Sequence, residues 1–157
     1  MWWNSLFGNL LLTFLVAMVP VLELRGAIPF GVARGLTIWQ AIGAAVLGNL
    51  LPVPFIILFI RRVFAWMRRH FEKLNGLVTR LEAKAESKKD TVRRYAFWGL
   101  VILVAIPLPG TGAWTGALVA AMMDMRLKRA FPAIAVGVAI AAVIVSVITY
   151  GAQVVFA

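Results

Sequence analysis

Two short segments, Pro20-Val-Leu-Glu-Leu-Arg-Gly26 and Pro107-Leu-Pro-Gly-Thr-Gly112, interrupt the apolar sequence of this chain and decide its fold. We call them the first and the second break. The apolar pieces beside them are only about 7–11 residues long, and at about 1.5 Å per helical residue each reaches roughly half of a hydrocarbon core that is about 30 Å thick. Each break is therefore predicted to lie at mid-membrane depth, between two half-length helices.

The composition is that of a membrane protein. Of the 157 residues, 62% are hydrophobic and 14% are charged, whereas soluble domains average about 25% charged residues. The longest uncharged run, 130–157, exceeds the roughly 18 apolar residues that indicate a membrane span. The chain has no Cys, which excludes a disulfide framework and Cys-based metal or redox chemistry.

The net charge of +10 is concentrated in two places. Eleven of the sixteen Lys and Arg residues fall in the segment 61–94, and three more are Arg126, Lys128 and Arg129. Basic clusters beside apolar spans mark the cytoplasmic side of a membrane protein. This placement is explained by membrane insertion, so we expect no nucleic-acid binding.

The two halves of the chain repeat one pattern: a short apolar piece, a break, a second short piece and a full span. Each pair of short pieces could be a re-entrant hairpin, which enters and leaves on one side, or residues 6–22 and 96–118 could cross completely as ordinary spans. Charge favours the hairpins, because a full crossing after a cytoplasmic segment 61–94 would put Arg126, Lys128 and Arg129 outside. The two hairpins then enter from opposite sides.

We therefore predict an all-α integral membrane protein with two inverted repeats, each a re-entrant helical hairpin plus a transmembrane helix. Residues 1–157 form a single membrane domain, with repeat 1 at about 6–60 and repeat 2 at about 95–157. The basic connector, 61–94, is predicted to be an amphipathic helix, since apolar residues recur from Met67 to Ala85 at alternating spacings of four and three. It could lie on anionic lipid, contact another subunit or serve only as a connector.

Glu23 and Arg25 lie inside the first break. An ionisable residue within the membrane is costly, which makes it a candidate functional residue. Burial disfavours the charged form of a carboxylate and a nearby Arg favours it, so Glu23 could exchange a proton during transport. The alternative is that the two residues lie in an external loop or only neutralise each other. Pro29 belongs to the same candidate site.

The second break carries no charge and offers backbone and hydroxyl groups. New half-helices are predicted to begin near Ala27 and Ala113, and helix N-termini present free N–H groups with partial positive charge. Together with Arg25 they would suit an anionic group such as a phosphate or a carboxylate. The alternative is that Pro and Gly only bend the chain. The candidate residues of this break are Pro107, Pro109, Gly110, Thr111, Gly112 and Thr115. Asn49 of the first full span could face a cavity between the breaks, and the alternative is that it is only structural.

Enzyme signatures are absent from the sequence. The single histidine, His70, lies in the basic connector, and HExxH, GxSxG and Walker A motifs do not occur. We expect no enzymatic activity, no cofactor and no metal site.

At Glu23-Leu-Arg-Gly-Ala-Ile-Pro-Phe-Gly31 and Ile106-Pro-Leu-Pro-Gly-Thr-Gly-Ala-Trp-Thr-Gly116, the sequence resembles the bacterial small multidrug export protein family. That family looks like a relative of the DedA membrane proteins, which have paired re-entrant hairpins and are implicated in moving lipid-linked phosphates and in proton-coupled transport. The resemblance implies roles for Glu23 and Arg25 at the first hairpin, and for Pro107, Pro109, Gly110 and Gly112 at the second.

These observations predict a small DedA-like secondary transporter or exporter of a small or lipid-linked anionic substrate. Glu23 would carry a proton and Arg25 would hold the anionic group. We expect a multi-pass protein of the bacterial inner membrane with a cytoplasmic basic connector, whose partners are membrane lipids and its substrate. So few spans could require a homodimer to enclose a pathway. The alternative is a non-transporting membrane scaffold or regulator that binds anionic lipid or partners through its basic helix.

Overall fold

The computed structural model describes residues 5–73, 75–76, 79–80, 89–108 and 111–156, and within them the chain is helical and has no strand. The all-helical prediction is confirmed. The apolar stripe predicted for the connector falls largely outside the described residues. The helices are α1 (Leu6–Met18), α2 (Glu23–Ala33), α3 (Ile38–Leu50), α4 (Pro52–His70), α5 (Lys89–Ala105), α6 (Ala113–Met122) and α7 (Leu127–Phe156).

Within the part of the chain that the structure describes, two helical stretches are long and apolar enough to cross a membrane. One is Ile38–His70, which joins α3 and α4 through Leu51, and the other is α7. The first stretch runs past the predicted end of the span at Ile60 and continues into the basic connector. The remaining apolar helices are too short to cross alone, as the half-length pieces of the sequence predict.

Capping groups and prolines set the helix ends. The Ser5 hydroxyl accepts the N–H of Gly8 at 3.1 Å at the start of α1. Thr37 and Gln40 cap α3 reciprocally, each side chain accepting the other residue's backbone N–H. Pro52, which has no N–H to donate to the preceding turn, divides α3 from α4 within the stretch Ile38–His70. Helix α5 ends two residues before Pro107.

The first break is shorter than predicted. Helix α2 begins at Glu23 instead of near Ala27, so Arg25 and Pro29 lie inside a helix. The reason is a tight turn, in which the N–H groups of Leu22 and Glu23 both donate to the carbonyl oxygen of Val19 and let the chain restart at once. A carboxylate in the first turn also suits the positive end of the helix dipole.

Helices α2 and α6 each have a residue with positive φ at either end, and their C-terminal turns are of the same kind. Among the described residues, left-handed φ values occur at Glu23 (43°), Gly35 (89°), Gly112 (127°) and Asp124 (55°). These form two pairs, each 89 residues apart, and the first residues of α3 and α7 have the same separation. Both helices end in a Schellman-type turn, closed by the N–H of Leu36 on Gly31 and that of Met125 on Ala120.

Small residues let the helices approach closely. Helix α1 packs on α3 and α5 packs on α7, while α2 lies against α3 and α7, and α6 lies against α4 and α7. Gly48 of α3 meets the backbone carbonyl of Phe14, and Gly137 of α7 meets that of Val101. Fully buried alanines line the same contacts, as in other membrane helix bundles: Ala17, Ala27, Ala41, Ala45, Ala113, Ala117, Ala120, Ala130 and Ala133.

Two polar contacts tie the outer ends of the helices. The side chain of Asn9 on α1 donates to the carbonyl of Arg34 at 2.9 Å, and the Arg34 Nε–H donates to the Asn9 side-chain oxygen at 3.1 Å. Arg61 of α4 lies 3.1 Å from the carboxylate of Asp124 and donates to the carbonyl of Met125 at 2.9 Å. The first contact joins the start of α1 to the end of α2, and the second places the end of α6 beside α4.

Candidate functional site

The two breaks meet inside the protein at Glu23. Its side chain is buried, with 4% of its surface exposed. One carboxylate oxygen, Oε1, accepts the backbone N–H of Trp114 at 3.2 Å, and the backbone N–H of Ala113 also faces the carboxylate. A carboxylate from the first break therefore lies at the N-terminus of α6, where the helix presents unpaired N–H groups and partial positive charge.

Arg25 makes the second connection between the breaks. Its guanidinium, half-buried, donates to the carbonyl oxygen of Thr111 at 2.8 Å and to the Thr111 hydroxyl at 3.0 Å. The segment Pro107–Gly112 has no charged residue of its own, so Arg25 supplies a positive charge to the second break from the first.

Thr111 organises the described part of the second break. Its hydroxyl oxygen lies 2.6 Å from the carbonyl oxygen of Ile106 and 2.8 Å from that of Leu108, and it accepts the N–H of Leu108 at 3.1 Å. A hydroxyl has one proton to donate and two lone pairs. The side chain thus holds the turn after α5 closed while its own backbone carbonyl faces Arg25.

Trp114 ties α6 to α1 as well as to α2. While its backbone N–H reaches Glu23, its indole Nε1–H donates to the carbonyl oxygen of Met18 at 3.1 Å. Met18 is the last residue of α1, whose final carbonyls have no partner within the helix. One residue of α6 therefore contacts both sides of the first break.

Gly112 is required by the close approach of Glu23. It precedes α6 with φ of 127° and ψ of −169°, a conformation that is essentially restricted to glycine. A Cβ atom at this position would collide with the carboxylate of Glu23. The glycine lets the carboxylate reach the first N–H groups of α6.

A small, partly open cavity lies beside these contacts, with room for about one water molecule. Asn49 of α3 lines it and is 1% exposed, and its Oδ1 has no hydrogen-bond partner within the described part of the chain. The other lining residues are mostly apolar: Glu23, Leu24, Arg25, Val104, Pro107, Gly112, Ala113, Val138, Ala141 and Val145.

The structure brings together part of the predicted site. Glu23, Arg25, Pro107 and Gly112 line the cavity, and Thr111 bonds to Arg25. Pro29 is exposed and lies instead in an apolar groove beside the end of α7, and Thr115 is half-buried on α6 outside the cavity lining. Pro109 and Gly110 are outside the described residues. The functional roles of all these residues stay predictions.

Sequence reasoning missed Trp114 as a site residue. Trp114 contacts the site through its backbone N–H and through an indole N–H that bonds to the end of α1. Neither contact can be predicted from the pattern of residue types. The usable signal was positional, since Trp114 is the second residue of the half-helix after the second break. Within the described residues, no group of three or more His, Cys, Asp or Glu side chains could hold a metal ion.

Two long apolar helices and buried polar contacts between short ones define a helical membrane protein. The family model described as "Putative small multi-drug export protein" matches residues 23–144, a span that includes both breaks. The chain belongs to this family, as its sequence resemblance predicts. No curated protein matches the chain, and no solved structure does.

Proposed function

We propose that this chain is a small secondary transporter or exporter of the DedA-like type, which moves a small or lipid-linked anionic substrate in a proton-coupled manner. The observation that carries the proposal is the pair of contacts from Glu23 and Arg25 to Trp114 and Thr111. Glu23, Arg25 and the N-terminus of α6 meet there, beside the small cavity that both side chains line. Ionisable groups buried within a membrane protein usually mark an ion or substrate path.

The proposed architecture is a pair of inverted repeats with re-entrant hairpins, α1–α2 and α5–α6. The Asn9–Arg34 contact supports the first hairpin, since it joins the beginning of α1 to the end of α2. The Arg61–Asp124 contact supports the second, because it places the end of α6 beside the start of the basic connector from which α5 returns. The shared 89-residue spacing of the left-handed turns supports the repeat.

Opposite orientation of the hairpins is supported by the length of the helix between these contacts. Residues 38 to 61 rise by roughly 35 Å at about 1.5 Å per residue, which is enough to cross a hydrocarbon core of about 30 Å. The Asn9–Arg34 contact lies near the beginning of this stretch and the Arg61–Asp124 contact near its far end. In the proposed topology the basic connector is on the cytoplasmic side of a bacterial inner membrane.

The proposed chemistry needs no enzymatic step and no cofactor. In the structure, the carboxylate of Glu23 occupies the anion-binding position at the N-terminus of α6. An anionic substrate group would take this position, next to Arg25, after Glu23 has gained a proton and lost its negative charge. Proton uptake and substrate binding are thereby coupled, because one positive site serves two competing anions. Membrane lipids and a second copy of the chain are the proposed partners.

The test is transport by purified protein in liposomes. A fluorescent short-chain polyprenyl phosphate is placed in the outer leaflet, and its protection from dithionite is followed with and without a pH gradient. We expect wild-type protein to accelerate translocation of the phosphate but not of the matching neutral alcohol. Glu23→Gln should remove the response to the pH gradient, and Arg25→Ala should remove translocation.

Glu72→Gln and Arg126→Lys are matched controls, since both side chains are exposed and lie away from the breaks. They should transport like the wild type. Full activity in both Glu23→Gln and Arg25→Ala would refute the site. If variants of the charged face of the connector lose activity while the Glu23 and Arg25 variants keep it, the scaffold alternative is favoured.

The topology has its own test, which the Cys-free sequence makes simple. Single variants Lys128→Cys, Arg62→Cys and Gly35→Cys are labelled in intact cells with a membrane-impermeant maleimide. We expect Gly35→Cys to react from outside, and the other two only after permeabilisation. External labelling of Lys128→Cys would exclude the second re-entrant hairpin.

A further inference from the structure

The unpaired side-chain oxygen of Asn49 has no role in the site as described so far. It is buried on α3, in the cavity that Glu23 and Arg25 also line. A buried polar atom without a partner costs about 1–3 kcal/mol. An apolar residue at position 49 would avoid this cost. The corresponding position of the other half of the chain, 89 residues later, has such a residue: Val138 lines the same cavity. No protein group donates to the Asn49 oxygen in the described state, so its donor is a water in the cavity or a protein group that reaches it in another state.

Glu23 can supply this donor in one of its two protonation states. An ionised carboxylate only accepts hydrogen bonds, and the N–H groups at the start of α6 satisfy it. A protonated carboxyl group carries an O–H donor that N–H groups cannot accept, and its carbonyl oxygen binds those N–H groups more weakly because the negative charge is gone. Among the described residues that line the cavity, Asn49 is the only uncharged one whose side chain offers an acceptor oxygen.

We propose that Asn49 is the positioning residue that receives Glu23 in its protonated state, through a hydrogen bond from the carboxyl O–H to Oδ1 or through one intervening water. The proton comes from water and forms an O–H bond on the carboxyl group. The hydrogen bond from Trp114 is lost and the bond to Asn49 replaces it. Loss of the proton reverses the exchange and returns the carboxylate to α6.

The groups around Glu23 favour such an exchange. The elements packed around the cavity contribute Arg25 from α2 as a charged group, backbone N–H groups from α6, Asn49 from α3 and apolar side chains from α5 and α7. Arg25 is already bonded to Thr111, so it can stay in place while Glu23 moves. The movement exposes the N-terminus of α6 to a substrate anion, and in this respect the inference rests on the proposed function.

Infrared difference spectroscopy on the full chain in liposomes tests the proposal without any substrate. Spectra are recorded between high and low pH, and the C=O band of protonated Glu23 is identified as the one that Glu23→Gln removes. In Asn49→Leu, a replacement of similar size, this band should move to higher wavenumber because the carboxyl group has lost its hydrogen-bond partner. Asn49→Ser, which retains a side-chain oxygen, should keep the band close to the wild-type position.

Asn9→Ala is the matched control, since the Asn9 amide is bonded to Arg34 at the end of the hairpin and away from the cavity. It should leave the band unchanged. Asn49→Leu should also unfold at a temperature no lower than the wild type, because it removes an unpaired buried atom. A structural role for Asn49 would instead lower the unfolding temperature, so this measurement separates the two roles.

An unshifted band in Asn49→Leu, or the absence of a Glu23 carboxyl band at every pH at which the chain is folded, would overturn the proposal. A shifted band in Asn49→Leu, together with normal transport by Glu23→Gln, would refute the proposed function and leave this proposal standing.

Discussion

The carboxylate of Glu23 accepts a hydrogen bond of 3.2 Å from the backbone N–H of Trp114, a residue 91 positions further along the chain. Arg25 makes a parallel contact with Thr111, 86 positions away. Residues of the first break thus bond to Thr111 of the second break and to the first turn of α6 directly after it. The breaks are therefore not two independent bends in apolar sequence, because polar groups at the first are bonded to groups at or next to the second.

Gly112→Ala should separate the two breaks. The new methyl group would displace the Glu23 carboxylate, and the backbone conformation at φ 127° strains any residue with a Cβ. We expect a loss of about 1–3 kcal/mol from strain and about 1–3 kcal/mol more from the broken contact. Thermal unfolding in detergent, followed by near-UV circular dichroism, measures the loss.

Gly35→Ala is the control for this variant. Gly35 also has a left-handed φ, 89°, but a Cβ there would meet no other atom within 4 Å. It should show the strain alone and unfold at a higher temperature than Gly112→Ala. Equal losses in the two variants would mean that the Glu23 contact contributes nothing to stability.

Thr111→Val should loosen the second break. The substitution keeps the shape of the side chain but removes the hydroxyl that bonds to Arg25 and closes the turn onto Ile106 and Leu108. We expect a loss of about 0.5–1.5 kcal/mol, the usual net contribution of a hydrogen bond, since the contacts are exposed or half-buried. Thr111→Ser retains the hydroxyl and should lose much less. Comparable unfolding temperatures for the Val and Ser variants would contradict the assigned role.

The helical fold and the second break could be predicted from sequence for a physical reason. Proline removes an N–H and restricts the residue before it, so that Pro107 stops α5, and the next helix begins at Ala113 after Gly112, as predicted. The long uncharged run that forms α7 was equally visible. These are local effects, and local sequence specifies them.

The geometry of the first break could not be predicted from sequence, because it depends on hydrogen bonds and not on residue type. Pro20 predicted an interruption, but the turn closed by the carbonyl of Val19 lets α2 restart at Glu23, despite a left-handed φ at that residue. The hydrogen-bond partners of the predicted site residues could not be predicted from the sequence. The contacts of Trp114 with Glu23 and with Met18 join distant parts of the chain, and nothing in a single sequence records such a pairing.

Gly48→Ala should destabilise the packing of α1 on α3. A Cβ at this position would collide with the backbone carbonyl of Phe14, which cannot move without shifting α1 as a whole. Overpacking of this kind typically costs about 1–3 kcal/mol. Gly43→Ala, on the same helix, meets no atom within 4 Å and should be stabilising by about 0.5–1 kcal/mol, because alanine is the better helix former. Opposite shifts of the unfolding temperature are the expected readout, and a loss of stability in Gly43→Ala would contradict this packing.

Trp114→Phe should weaken the connection between α6 and α1 while leaving the backbone contact with Glu23 intact. Phenylalanine keeps most of the aromatic surface but lacks the indole N–H, so the bond of 3.1 Å to the carbonyl of Met18 is lost. A net loss of about 0.5–1.5 kcal/mol is expected for a hydrogen bond of this kind. Trp39→Phe is the matched control, since Trp39 is 79% exposed on α3. Thermal unfolding should separate the two variants, and the infrared band of Glu23 should stay in place in both. A band that moves in Trp114→Phe would mean that the indole, and not only the backbone of α6, positions the carboxylate.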